Sequence, residues 1–135
     1  MLYLLDTNAI SGLMRKRPEI RGRLSSLGAG HSVATCPIVR GEILFGVERL
    51  PEGRRRQELS ELATEVFAQV PCESVPESAG DAYSQIKAAR QRRGLTLDEN
   101  DLWVAATARA LGAILVSTDG DFAQIDGLTV EDWTL

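Results

Sequence analysis

The sequence predicts an α/β domain built on a mostly parallel sheet, and three observations carry that prediction. Short apolar runs alternate with longer stretches of helical periodicity along the 135 residues. The runs that begin at Leu2 and Ala113 are apolar throughout, as strands covered on both faces are. Prolines and glycines fall where helices start and stop.

Leu2–Leu5 is the first strand, and it runs straight into "DTNAIS". "NAISGLMRK" and "PEIRGRLSSLG" read as two short helices ending near Gly28 and Gly30, with His31 a turn residue before a second strand, Ser32–Thr35. "PIVRGEILFGVERL" places Pro37 in a first helical turn, where its missing N–H is not needed. "GRRRQELSELATEVFAQV" is an amphipathic helix, and Cys72–Val75 is the third strand. "VPESAGDAYSQIKAARQRRG" is a helix stopped by Gly94; "DENDLWVAATARALG" is capped by Asp98 and stopped by Gly112. Ala113–Ser117 and Leu128–Val130 complete five strands. No repeat, linker or low-complexity tract interrupts the pattern, so residues 1–135 read as a single domain, able to bury roughly two-thirds of its unfolded surface.

Composition excludes several classes. With 25% charged and 44% apolar residues the chain is neither disordered nor membrane-spanning. Met1 opens a strand with no export leader, which predicts a cytoplasmic location. Cys36 and Cys72 stand alone, each beside a proline, and are expected to be buried thiols rather than zinc ligands or a disulfide. A net charge of −4 and a pI near 5.0 argue against gripping nucleic acid with the whole surface. Two basic islands remain for local phosphate contact: Arg54, Arg55 and Arg56, and the group Lys87, Arg90, Arg92 and Arg93. Each reads equally well as a solvated helix face.

The acids are placed less innocently. Asp6 ends a buried strand, where an ionised group is costly without a partner, although Asp-Thr-Asn is also good helix-capping chemistry. Glu42 has Ile38, Val39, Phe45 and Gly46 as helical neighbours, which puts it on a core-facing stripe. Asp101 repeats the pattern against Val104, Ala105 and Ala108; a first-turn dipole role is the competing account. Asp119 follows a second apolar strand that ends at Ser117. Each acid has a structural excuse taken singly. If the first and fourth strands are neighbours in the sheet, Asp6 and Asp119 meet at their carboxyl ends, where open sheets collect ligands, and Glu42 and Asp101 are expected to join them from core-facing helix stripes. Carboxylates gathered there repel one another, and all-oxygen donors select a hard cation such as Mg²⁺ or Mn²⁺. Such a cation acidifies water and neutralises phosphoryl charge, and it lets an acidic protein bind RNA. His31 is the single histidine, so a two-histidine nuclease mechanism is unavailable, and no phosphate-binding G-x-x-x-x-G-K-[ST] loop is present.

"LLDTNAIS", "RGEILFGVERLPEGRRR", "ENDLWVAATARALGAILVSTDGDF" and "GLTVEDW" resemble, in order and spacing, the segments of PIN-domain ribonucleases, specifically the VapC toxins of bacterial toxin–antitoxin pairs. The resemblance spans nearly the whole chain. It implies a PIN-like three-layer sandwich with a central, mostly parallel five-stranded sheet flanked by helices. It places the acidic site on Asp6, Glu42, Asp101 and Asp119, with Asn8, Ser117, Asp98 and Asp121 in support; Asp119 is preferred to Asp121 as nearer the strand end. It further implies Mg²⁺- or Mn²⁺-dependent RNA hydrolysis by an activated water, a homodimer, and a VapB-like antitoxin that blocks the site. Trp103 and Trp133 are expected to serve packing. Other readings are an aspartyl-phosphate phosphatase with Asp6 as nucleophile, disfavoured by Asn8 where a general acid belongs, a phospho-acceptor signalling domain, or a silent PIN domain that only binds.

Overall fold

The computed structural model describes all residues, Met1–Leu135. Four strands, β1 (Leu2–Leu5), β2 (Ser32–Ala34), β3 (Ile114–Val116) and β4 (Thr129–Glu131), form one parallel sheet in the order β2-β1-β3-β4. The most apolar runs take the two central places, and Leu4, Leu5 and Leu115 are fully buried. Parallel neighbours require crossovers, and the helices supply them. α1 (Thr7–Met14) and α2 (Pro18–Ser26) link β1 to β2. α3 (Pro37–Glu48), α4 (Arg54–Gln69), α5 (Ser78–Arg92) and α6 (Glu99–Ala110) link β2 to β3. A 3₁₀ turn, Gly120–Gln124, precedes β4.

The expected fifth strand, Cys72–Val75, is absent as a strand. It survives as one parallel bridge, Thr35 to Cys72, with Thr35 N–H donating to the Pro71 carbonyl (2.9 Å) and Glu73 N–H to the Thr35 carbonyl (2.8 Å). Pro71 and Pro76 bracket the segment and lack N–H groups, and Cys72, Glu73 and Ser74 are exposed, so nothing apolar fastens it further. Cys72 is correspondingly an exposed thiol, contrary to expectation; Cys36 is buried.

The helices pack in two groups, α1 to α4 and α5 with α6, joined where α6 meets α3. α1 buries Ala9, Ile10, Leu13 and Met14. Gly12 lets α2 approach, because a Cβ there would lie 2.3 Å from Ile20 Cδ1. α3 turns Val39, Ile43 and Val47 inward, and Phe45, expected on the buried stripe, is 67% exposed. The real stripe is rotated by one residue, which leaves Glu42 on its edge rather than its centre. α6, set among α3, α5 and β3, buries every residue from Val104 to Ala108, small side chains that permit close approach. Trp133 is buried against Tyr3, and Trp103 stacks on Tyr83 at 4.1 Å between ring centres, so both tryptophans pack as expected. No helix is long and apolar enough to cross a membrane.

Candidate active site

Register positions the first two side chains. Leu5 pairs with Val116 across β1 and β3, so the next residues, Asp6 and Ser117, leave the sheet side by side at its carboxyl edge. Asp6 is only 5% exposed, and its Oδ1 accepts a hydrogen bond from the Ala9 N–H at 2.9 Å. It is therefore both a helix cap and a buried acid. Burial pushes its carboxyl above the usual range; the Ser117 hydroxyl and the Ala9 and Asn8 amides pull it back, and the Asp119 charge raises it further.

The β3 exit is ordered by its own polar groups. Ser117, buried, accepts from the Asp119 N–H at 3.0 Å, and Asp119 Oδ1 accepts from the Asp121 N–H at 2.9 Å. Asp119 is half-buried at the start of the 3₁₀ turn, and Asp121 is exposed one residue into it. From α3, the half-buried Glu42 reaches α1, where its Oε1 accepts the Thr7 hydroxyl at 2.9 Å. Sequence reasoning passed over Thr7; its only signal was a hydroxyl between two residues already singled out.

Asp101 reports how these segments converge. It is half-buried in the first turn of α6, and its carboxyl is pushed up to about 6, by burial first and then by the charges of Asp98, Glu42, Asp119 and Asp6. Residues far apart in the chain thus share one electrostatic neighbourhood. None of the ion pairs in the molecule includes any of these acids, so their repulsion is left uncompensated by side chains. Asp98 is exposed and caps α6 through the Asn100 N–H at 3.2 Å; Asn8 is exposed in the first turn of α1.

Three or more acids do not stand at metal-ligand spacing. In donor type and in unbalanced charge the set nonetheless suits a hard divalent cation, since every donor is oxygen. Beside Glu42 and Thr7 a groove of about 360 Å³ opens, lined by Met14, Ile43, Val47 and Leu59 among others.

The basic islands are largely occupied. Arg54 pairs with Glu58 (3.4 Å), Arg56 with Glu48 (2.8 Å), and Lys87 with Glu99 (3.0 Å). Arg93 donates to Gln124 at 3.4 Å. Arg55 and Arg92 are exposed. Arg90 departs from its assignment to an exposed island: it is 7% exposed, because it continues the buried stripe Ala79, Ala82, Ile86 of α5.

Fold and site together define a parallel α/β domain of the PIN class, with carboxylates from several segments at the carboxyl edge of its central strands. A family model described as the PIN domain matches residues 3–128. The chain is 32% identical to Ribonuclease VapC1 of Haemophilus influenzae strain R2866, over 99% of each sequence. It is 28% identical to Ribonuclease VapC2 of Rickettsia felis, over 98% of each. The chain belongs to the PIN-domain family, in its VapC branch. Among solved structures, VapBC-1 from nontypeable Haemophilus influenzae matches with a TM-score of 0.88 at 26% identity over all of both chains. VapBC2 from Rickettsia felis, bound to a DNA fragment from its promoter, shares the fold with a TM-score of 0.90 at 24% identity over 98% of this chain and 99% of that one.

Proposed function

We propose that this protein is a VapC-type toxin, an endoribonuclease that hydrolyses RNA phosphodiester bonds with a divalent cation, Mg²⁺ or Mn²⁺. The observation that carries the proposal is Asp101, whose proton affinity is raised first by burial and then by four other carboxylates, with no basic side chain paired to any of them. Asp6, Asp101 and Asp119 are the residues that would hold the cation, with Glu42 at its flank. When bound, the cation supplies an acidified water and neutralises charge on the phosphoryl and leaving oxygens. Asp6 is fixed for that role by its cap on α1, and Ser117 fixes the backbone that presents Asp119. Thr7 donates to Oε1 of Glu42 and so fixes the orientation of that carboxylate. Asn8 and Asp98 are exposed beside Asp6 and Asp101, and the exposed Arg55 and Arg92 are available to the RNA backbone.

The relatives solved as VapBC complexes support a partner of the VapB kind that holds the toxin inactive. A homodimer belongs to the same reading. The test is cleavage of a labelled RNA by the purified protein in Mg²⁺ or Mn²⁺, with and without EDTA, and with the product ends mapped. Chelator-sensitive cutting that leaves no 2′,3′-cyclic phosphate is expected. Cutting that persists in EDTA, or cyclic ends that signal attack by the ribose hydroxyl, overturns the proposal.

A further inference from the structure

Arg90 is a buried cation without a counter-ion. It occupies the fourth position of the inward stripe of α5, after Ala79, Ala82 and Ile86, where an apolar side chain is the ordinary choice. No ion pair includes it, and its Nε has no hydrogen-bond partner. A charge placed this way costs stability unless its remaining contacts matter. Those contacts are two main-chain carbonyls from different loops. Nη2 donates to Thr96 at 3.1 Å and Nη1 to Asp121 at 3.4 Å.

The two loops are the ones that carry acids. Thr96 lies in the connection from α5 to α6, two residues before Asp98 and five before Asp101. Asp121 lies in the turn that begins with Asp119. The main chain at Arg90 is anchored in turn: beyond α5, Gly94 with a φ of 70° lets the Leu95 N–H fold back onto the Arg90 carbonyl at 2.9 Å. One residue therefore ties the α6 approach, the β3 exit and the end of α5 together. A planar fork with several donors can span two acceptors this way; an ammonium is a single point.

We propose that Arg90 is a positioning residue that sets the distance between the Asp98–Asp101 segment and the Asp119–Asp121 segment, and so sets cation affinity at the acidic site. The proposal rests on the metal-dependent reading above, and its test separates the two. Hydrogen exchange is followed at the amides of residues 94–98 and 119–123 in the wild-type protein, Arg90→Leu and Arg90→Lys, and Mn²⁺ binding is titrated by electron paramagnetic resonance without RNA. Arg90→Leu is expected to speed exchange in both segments together and to weaken Mn²⁺ by roughly 10-fold or more, the scale of lost outer-shell partners. Arg90→Lys is expected to fall between, keeping one carbonyl contact. Val66→Ala, a core truncation on α4, is the stability control: it lowers the thermal midpoint and leaves Mn²⁺ affinity alone.

Unchanged exchange in either loop of Arg90→Leu overturns the clamp. Mn²⁺ affinity equal to wild type overturns its link to the site and leaves the ribonuclease reading intact. A wild-type protein that binds no Mn²⁺ and cuts no RNA overturns that reading and the link together, while the exchange data still decide the clamp. If Arg90→Leu does not fold, Arg90→Lys decides by the same two readouts.

Discussion

Glu99 and Asp101 lie two residues apart in the first turn of α6, feel the same helix dipole, and end in opposite states. Glu99 faces α5, where the Tyr83 hydroxyl donates to it at 2.6 Å and Lys87 pairs with it at 3.0 Å, and its carboxyl is held below the usual range. Asp101 faces the acids, has no cationic partner, and is pushed up to about 6. A helix start favours both carboxylates to a similar degree, so the difference lies in what each faces. One carboxylate is settled by its partners, and the other has no such partner among the side chains around it.

The largest effect expected on this contrast is at the centre of the unpaired set. Asp6→Asn keeps a capping oxygen for Ala9 and removes the charge, and RNA cleavage should fall by at least roughly 100-fold, beyond the range of outer-shell losses. The thermal midpoint should hold or rise, because Asn caps helices as well as Asp does and a buried acid with a raised carboxyl is removed. Full cleavage by this variant would remove Asp6 from the site.

Cation binding is the next test, read from stability. Mn²⁺ or Mg²⁺ should raise the thermal midpoint of the wild-type protein in proportion to the logarithm of concentration above its dissociation constant, and Asp101→Asn should flatten that response. A similar response in Asp101→Asn would place the cation elsewhere.

A pH dependence follows with a definite sign. Between the ordinary aspartate value near 3.8 and about 6, folded Asp101 holds a proton that the unfolded chain has released. Its contribution to stability therefore falls as pH rises through that window and stays unfavourable above it. Without metal, Asp101→Asn should gain thermal stability relative to wild type between pH 4.5 and 7.5, and Asp6, also raised, acts in the same direction. Melting curves of both proteins at the two pH values decide the matter; a gap that shrinks as pH rises would contradict the electrostatic account.

The smallest effect belongs to the satisfied neighbour. Glu99→Gln removes an exposed pair from the far face of α6, and cleavage should stay within about twofold of wild type, with little change in melting. A large loss of activity would erase the distinction between the two faces.

Much of this was legible in the sequence because the signals were local. The apolar runs before Asp6 and Asp119 announced two buried strands, and their register brought the exits together. Asp101 was readable as an acid on a small-residue face. The failures share a cause: they depend on what lies opposite in space. Cys72–Val75 carries strand-like residues, yet two prolines and an open flank reduce it to a single bridge. Phe45 fits a helical stripe in projection and points to solvent. Arg90 sits among basic neighbours that disguise an inward position, and only the α5 stripe counted from Ala79 gives it away.

The order of the sheet also has a consequence in time. β1 forms near one end of the chain and β3 near the other, and each needs the other as its neighbour. On the ribosome, a nascent chain that has reached α5 holds Asp6 and Glu42 but neither Asp101 nor the strand that shelters Asp6. Long-range parallel pairing of this kind is slow to form and comes late. A growing polypeptide therefore cannot gather its acids in one place until β3 has been made, and the site is the last part of the molecule to be completed.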